Sequence, residues 1–204
     1  TGMLNFDPEA FSMRWYEDIL RNGMASPDAV FSWAWLSDTW NNGQWIRAIR
    51  NSFFIGICAT LLSTALGTLA AIGLSRSEMP YRRLIMSILI SPMIVPLVIT
   101  AAGMFYFYSQ VHLSQTYLGV IMAHAVLGTP FVIITVTATL VGFDKSLVRA
   151  SQSLGAGALT TFRKVQMPLI IPGVISGGLF AFITSFDEVV AVLFLASPAQ
   201  RTIP

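Results

Sequence analysis

YLGVIMAHAVLGTPFVIITVTATLV, residues 117–141, contains no charged side chain. A helix needs roughly 20 mostly apolar residues to cross a bilayer, so this stretch is long enough to be a membrane span. A barrel strand would instead show alternating hydrophobicity over about ten residues, which is not seen. Three further segments are similarly apolar, at residues 47–74, 84–108 and 169–195. The sequence therefore predicts an all-α membrane protein with four visible spans.

The composition excludes several other classes of protein. Hydrophobic residues make up 54% of the 204 residues and charged residues only 11%, whereas about 25% of a soluble domain is charged. The net charge of +2 and the absence of a basic run give no indication of nucleic-acid binding. Cys58 is the only cysteine, which excludes an internal disulfide and a cysteine-rich metal site.

The connections between the spans predict which side of the membrane each faces. Short loops rich in Lys and Arg stay in the cytoplasm. Residues 75–83 contain three arginines, residues 142–168 contain four Lys and Arg residues, and residues 109–116 contain none. We therefore expect residues 75–83 and 142–168 to be cytoplasmic. Residues 109–116 are expected to be outside, together with residues 1–46 and 196–204.

The N-terminal segment is rich in tryptophan. Residues 1–46 are expected to form an extracytoplasmic segment that precedes a transmembrane domain at residues 47–204. Indole rings favour the headgroup level of a bilayer, so this segment is either an aromatic anchor on the outer surface or a docking surface for an external partner. All the tryptophans of the chain lie in it: Trp15, Trp33, Trp35, Trp40 and Trp45.

The polar connection at 142–168 includes the stretch RASQSLGAGALTTFRKVQMP, residues 149–168. Asp144 is a favourable N-cap for a helix that starts near Lys145. Gly155 and Gly157 are expected to end that helix, because glycine is favoured just beyond a helix C-terminus. A second helical piece, ALTTFRKV, follows the glycines.

The Met167-Pro168 pair is expected to bend the chain into the last span, because a residue that precedes a proline is disfavoured in the helical conformation. The connection is thus predicted to be a compact helix-turn-helix. Such a protrusion can transmit a push from a soluble partner into the membrane helices, and an ordinary amphipathic loop is the alternative.

This stretch resembles the EAA loop of ABC importer permeases. The family pattern is Glu-Ala-Ala, three residues, Gly, nine residues, Ile, one residue and Leu-Pro. Ala150, Gly155 and Pro168 match it, and Val165 and Met167 are conservative replacements of Ile and Leu.

Two positions depart from the pattern, because Arg149 stands where the family has Glu and Ser151 stands for the second Ala. Three other segments are similar to the spermidine/putrescine-type branch of these permeases. They are RNSF at 50–53, TPFVIITVTATLVGFD at 129–144 and SFDEVVAVLFL at 185–195.

The resemblance implies a polytopic helical bundle with the type I ABC importer permease fold, in the bacterial inner membrane. It also implies one span before Thr1 and one after Pro204, giving six in the intact subunit. The loop at 142–168 would act as a coupling helix that docks on the ATPase. The residues implied in this coupling are Arg149, Ala150, Ser151, Leu154, Gly155 and Pro168.

The implied partners are two cytoplasmic ABC ATPases, a second permease that is identical or related, and a periplasmic or extracellular solute-binding protein. The chain lacks the GxxxxGK[ST] motif of an ATP site. ATP and magnesium are therefore expected on the partner ATPases, and we expect no catalytic residue, metal or cofactor in this subunit.

Asp187 and Glu188 are the charged residues inside the last apolar segment. Charges within a span usually face a protein interior or water, so the pair predicts an acidic patch for a cation such as putrescine or spermidine. The alternative is a structural or gating pair. Tyr106 and Tyr108 end the second span and are either part of an aromatic belt or a wall that contacts the cation.

Other interpretations remain open at this level. The solute could instead be an opine, an amino-acid derivative or an anion. A passive channel is a further alternative, as is an intramembrane enzyme that uses His124 with an acid, although a helix-packing histidine is the simpler interpretation. Pro92 and Pro96 are expected to kink the second span. A stripe of small residues in the first span favours close packing: Gly56, Ala59, Ser63, Gly67, Ala70 and Gly73.

Overall fold

The computed structural model describes residues 14–25, 32–76, 78–142, 144 and 146–204. Residues 1–13 and 26–31 of the expected outer segment lie outside these ranges, and so do Ser77, Phe143 and Lys145 in the two connections expected to be cytoplasmic. Within them every regular element is helical, which confirms the predicted all-α class. The elements are α1 (Arg14–Arg21), α2 (Trp33–Asn42), α3 (Gln44–Leu74), α4 (Arg82–Ile94), α5 (Leu97–Gln110), α6 (Tyr117–Val141), α7 (Ser146–Ser153), α8 (Ala158–Thr161), a π-helical turn (Phe162–Gln166), α9 (Met167–Phe186), α10 (Val190–Leu195) and a 3₁₀ turn (Pro198–Gln200).

The chain divides into two compact units, and α3 begins in the first and continues into the second. The first unit contains α1, α2, the start of α3 and residues 201–203. Ser32 caps α2, because its Oγ accepts a hydrogen bond of 3.2 Å from the Trp35 N–H. The Asn51 side chain donates to the Arg201 carbonyl at 2.9 Å, which ties the last residues to α3.

The second unit contains the membrane helices. Among the described residues, three helices are long and apolar enough to span a bilayer: α3, α6 and a continuous helix from Ala158 to Phe186. The predicted ends of two apolar segments are confirmed, since α3 ends at Leu74 and α6 covers residues 117–141.

The fourth predicted span is a pair of helices rather than one rod. The axes of α4 and α5 differ by 103°. The two helices therefore count as a fourth membrane span only if they cross the bilayer together as one broken helix. Pro96 causes the break, because it has no N–H and holds Val95 in an extended conformation at φ −71° and ψ 136°. Pro92 lies inside α4, so only one of the two expected kinks is a full interruption.

The expected bend at Met167-Pro168 is wrong. Met167 is helical at φ −56° and ψ −49°, and the helix runs on through the proline. The π-helical turn before it provides the reason, since the Met167 N–H donates to the Phe162 carbonyl five residues back. In an α-helix the Pro168 ring would clash with a carbonyl of the preceding turn. The wider π turn shifts the hydrogen-bond register there, so the helix can continue through the proline.

Small residues bring the membrane helices close together. Helix α6 packs along α9, and a Cβ added to Gly177 would meet the Thr135 Oγ1 and lie 2.8 Å from the Val132 Cα. On α3, Ala59 and Ser63 are fully buried, and a Cβ added to Gly67 would lie 2.7 Å from the Val132 Cβ. The predicted small-residue stripe is thus confirmed as a packing surface in the middle of α3.

We predict that Gly177→Ala destabilises the bundle by about 1–3 kcal/mol, because the added methyl group meets backbone that cannot move away. The matched control is Gly103→Ala on α5, where an added Cβ meets nothing within 4 Å. Thermal unfolding of the purified subunit, followed by fluorescence-detected size exclusion, measures both. Equal melting temperatures for the two variants would contradict close packing of α6 on α9.

Candidate functional site

The polar connection folds as a helical hairpin made of α7 and α8. At its start the exposed Asp144 accepts the Ser146 N–H at 2.8 Å and the Ser146 hydroxyl at 2.6 Å. These hydrogen bonds lower the pKa of the Asp144 carboxyl below its ordinary value, because they stabilise the charged form. The predicted cap is therefore confirmed, and the described helix begins at Ser146.

Gly155 makes the turn of the hairpin. Its φ is +80°, a left-handed backbone conformation that residues other than glycine rarely adopt. The Gly155 N–H donates to the Gln152 carbonyl at 2.9 Å, and the Ala156 N–H donates to the Ser151 carbonyl at 3.1 Å. This pair of bonds is a Schellman motif. Gly157 is different, because its φ of −66° is open to any residue.

A hydroxyl pair links the two arms of the hairpin. The Ser151 and Thr161 hydroxyl oxygens are 2.9 Å apart, and Thr161 is only 3% exposed. Ser151 stands where the resembling family has alanine, so this chain has a hydrogen bond that an alanine could not make. Nothing in the sequence pattern singled out Thr161, because its partner is ten residues away and on the other arm.

The other predicted coupling residues are on the surface. Arg149 and Ala150 on α7 are exposed, and so is Pro168 at the start of α9. Leu154, beside the turn, is 89% exposed, and Leu159 on α8 is 76% exposed. The hairpin thus presents two leucines and an arginine, and Pro168 lies beyond it on the long helix.

The acids expected inside the last span lie instead at a helix break. Helix α9 ends at Phe186, and α10 starts at Val190. The Glu188 carboxylate accepts the Ala191 N–H at 2.9 Å, so it caps α10 and stabilises the interruption. Glu188 is 7% exposed, whereas Asp187 is exposed. The sequence indicated the pair but not the different environments of its two members.

A cavity of about 380 Å³ borders both acids. Thr184 of α9 and Val190 of α10 also line it, and so does Leu97, the first residue of α5. The break at Pro96 and the break after Phe186 therefore meet at the same cavity. Leu97 was not predicted as a site residue, because an apolar side chain after a proline has no chemical signature.

The two predicted tyrosines lie elsewhere. Tyr106 is 71% exposed, and Tyr108 is 5% exposed within an apolar cluster that includes Val120 and Leu195. Neither ring is among the groups that line the cavity beside the acids. The structure thus brings Asp187 and Glu188 together at one site and leaves both tyrosines away from it.

His124 packs two helices together, as the simpler interpretation expected. Its Nδ1 is 2.8 Å from the Ser185 hydroxyl oxygen, and the two residues are 1% and 6% exposed. The contact joins α6 to the last turn of α9, directly before the break. Over the ranges that the structure describes, no three His, Cys, Asp or Glu side chains form a group that could hold a metal ion.

Long apolar helices, a polar hairpin between two of them and an acid-lined break are features of a polytopic membrane protein of the transport-subunit class. Comparison of the sequence with known protein families supports this class. Residues 63–204 match the family described as binding-protein-dependent transport system inner membrane component. The chain belongs to this family, whose members are the membrane subunits of ABC importers.

Several relatives are similar over most of the chain. The spermidine/putrescine transport system permease protein PotC of Haemophilus influenzae is 32% identical over 174 residues, which cover 85% of this chain and 68% of PotC. The putrescine transport system permease protein PotI of Escherichia coli is 29% identical over 201 residues, which cover 95% of this chain and 64% of PotI. The chain thus spans about two thirds of each.

A third relative is named for a different solute. The sulfoquinovosyl glycerol transport system permease protein SmoH of Agrobacterium fabrum is 30% identical over 155 residues, which cover 76% of this chain and 54% of SmoH. The family and the membrane location are therefore shared by relatives that are named for different solutes.

We predict that Glu188→Ala lowers the stability of the subunit by about 1 kcal/mol, because the Ala191 N–H loses its acceptor. Glu188→Gln keeps an acceptor oxygen and should lose much less. Asp187→Ala is the matched control, because this neighbouring acid is exposed. The measurement is the melting temperature in detergent, and similar losses for the two alanine variants would show that Glu188 is not a cap.

Proposed function

We propose that this chain forms half of the translocation path of an ABC importer for a small cationic solute, of which putrescine or spermidine is the best candidate. The hairpin within residues 142–168 would couple the path to cytoplasmic ATPases. Support for the solute comes from the names of PotC and PotI and from the exposed acid at the cavity.

One observation carries the coupling mechanism. The second arm of the hairpin and the last long span are a single helix from Ala158 to Phe186. Its 29 residues correspond to about 43 Å at the rise of an α-helix. A displacement of the hairpin would therefore be carried along one continuous helix to the break at Asp187.

The proposed mechanism is alternating access. An ATPase that closes on ATP would push the hairpin, and the continuous helix would carry the push into a helical bundle that has two packings. Leu154 and Leu159 are exposed at the turn and would be the apolar contacts with the ATPase. Arg149 would add a charged contact, and Pro168 would lie outside this interface.

The proposed assembly has two ATPases, which bind ATP and magnesium, a second permease and an external solute-binding protein. In this arrangement residues 75–83 and 142–168 face the cytoplasm. Residues 1–46 form the outer segment, and 47–204 form the transmembrane domain. Membership of a binding-protein-dependent transport family supports these kinds of partner.

Within the proposed path, Asp187 is the better candidate for contact with a cation. It is exposed at the cavity, whereas the Glu188 carboxylate is engaged by the Ala191 N–H. Glu188 would therefore position the break and Asp187 would bind the ammonium group. Tyr106 is exposed and stays a candidate for a second contact, while Tyr108 would need a rearrangement of its apolar cluster.

A different solute, carried by the same mechanism, is the second candidate function. The similarity to SmoH favours it, because that relative is named for sulfoquinovosyl glycerol and has a comparable identity over a shorter part of the chain. In that case the exposed Asp187 would act on the conformational change rather than on the solute.

We predict that Gly155→Val uncouples transport from ATP hydrolysis. A left-handed residue with a Cβ costs about 1–2 kcal/mol, so the hairpin turn should change shape. Gly157→Val is the matched control, because an added Cβ at either glycine meets nothing within 4 Å and only Gly155 has a positive φ. ATPase activity stimulated by the binding protein should fall several-fold in the first variant only; equal activities would remove the hairpin from the coupling mechanism.

We also predict that Asp187→Asn weakens putrescine uptake by the reconstituted complex roughly tenfold, because a charge-assisted contact is lost. Glu188→Gln is the control, since it keeps an acceptor for the Ala191 N–H. Uptake is measured with radiolabelled putrescine in proteoliposomes, alongside the ATPase rate. Wild-type uptake by Asp187→Asn, in a complex proven to carry putrescine, would exclude this carboxylate as the cation contact.

A further inference from the structure

Helix α2 has one aromatic face that is exposed among the residues of its unit that the structure describes. Trp33, Leu36 and Trp40 recur at i, i+3 and i+7, and are 87%, 46% and 57% exposed. The opposite face is seated in the unit, since Trp35 is 5% and Thr39 is 6% exposed. The exposed face of the helix is therefore apolar and contains no charged residue.

Two arginines fix the end of α2 beside the first turns of α3. The Arg47 Nη2 donates to the Asn41 carbonyl at 2.9 Å, and the Arg50 Nη1 donates to the Trp40 carbonyl at 3.0 Å. The Arg50 guanidinium also lies 4.8 Å from the centroid of the Trp40 ring. Arg50 is about 9 Å along α3 from its first residue, so Trp40 lies beside α3 rather than beyond its end.

The same turns of α3 are where its apolar surface begins. Trp45, Ile49 and Phe53 are spaced by four residues and are 39%, 37% and 48% exposed. The first turns of α3 also carry Arg47 and Arg50. A span with exposed apolar residues and arginines in the same turns is expected to enter the bilayer at those turns, with the guanidinium groups among the headgroups. Because the Trp40 carbonyl accepts from Arg50, Trp40 would lie at the same level as that arginine.

We propose that the aromatic face of α2, formed by Trp33, Leu36 and Trp40, binds the lipid bilayer at the boundary between headgroups and acyl chains. The indole rings place apolar surface in the acyl region and an N–H at the polar boundary. The helix thereby fixes the height at which α3 enters the membrane. This role depends on neither the solute nor the side of the membrane.

A soluble protein partner is the competing occupant of this face. Interfaces of that kind surround their apolar centre with a polar rim that the partner hydrogen-bonds. Two polar groups at the end of α2 are instead used within the unit, because the Asn41 and Trp40 carbonyls accept from arginines of α3. The geometry thus favours lipid.

Tryptophan fluorescence reports on this segment alone, because all five tryptophans precede residue 46. The experiment uses the full chain with Trp15→Phe and Trp45→Phe, reconstituted in phosphatidylcholine brominated either near the headgroups or near the bilayer centre. We expect stronger quenching by the shallow bromines. Adding Trp33→Phe and Trp40→Phe should lower the quenched signal roughly twofold or more, whereas Trp35→Phe should change it little because that ring is buried.

A charge placed on the face provides a second test that does not remove a tryptophan. Leu36→Glu should reduce quenching by the shallow bromines, because a carboxylate is costly at the acyl boundary. Ala34→Glu is the matched control, since it adds the same charge to an exposed position about 130° around the helix from the centre of the face.

The proposal is overturned by either of two results. One is quenching by aqueous iodide without quenching by brominated lipid, which would assign the face to water or to a soluble protein. The other is equal lipid quenching in the Leu36→Glu and Ala34→Glu proteins, since a face that lies in lipid cannot accept a carboxylate without moving.

Discussion

An unpaired backbone N–H or C=O inside a bilayer costs several kcal/mol, and this constraint determines where the helices of the chain can be interrupted. The break after Phe186 is possible because the Glu188 carboxylate accepts the Ala191 N–H. The break before α5 falls at Pro96, which has no N–H to lose. At Pro168 the chain instead keeps its helix, because a π-helical turn supplies the Met167 N–H with an acceptor five residues back. The break after Phe186 and the π turn before Pro168 thus each have an acceptor for a backbone N–H, whereas Pro96 has no N–H to pair.

This pattern distinguishes one long continuous helix from the interrupted helices around it. The helix from Ala158 to Phe186 is unbroken, while both interruptions lie around a single cavity beside Asp187. The His124–Ser185 contact holds the end of this long helix to α6 directly before the break. Motion delivered along this helix would therefore reach α10 and the start of α5, the elements that begin directly after the two breaks. A continuous last span would have spread the same motion over its whole length.

The sequence predicted the class of fold and the limits of α3 and α6, because uncharged segments of sufficient length have few other structures in a membrane protein. It also predicted the cap at Asp144 and the turn at Gly155, since both depend on residues within one turn of helix. It did not predict the helix through Pro168, because the dipeptide rule for Met167 takes no account of a compensating π turn. The separate environments of Asp187 and Glu188 were equally hidden, since the burial of Glu188 and its cap on the Ala191 N–H depend on the helix break and not on residue type.

The stiffness of the hairpin has to come from hydrogen bonds, because a segment this short cannot bury a core of its own. Leu154 and Leu159 are largely exposed, so apolar burial contributes little to holding the two arms. The Schellman bonds at Gly155 fix the turn, the Asp144 carboxylate fixes the entry, and the Ser151–Thr161 pair fixes the spacing of the arms. Polar bonds of this kind leave the leucines free for a partner, which a hairpin held together by its own apolar contacts could not do.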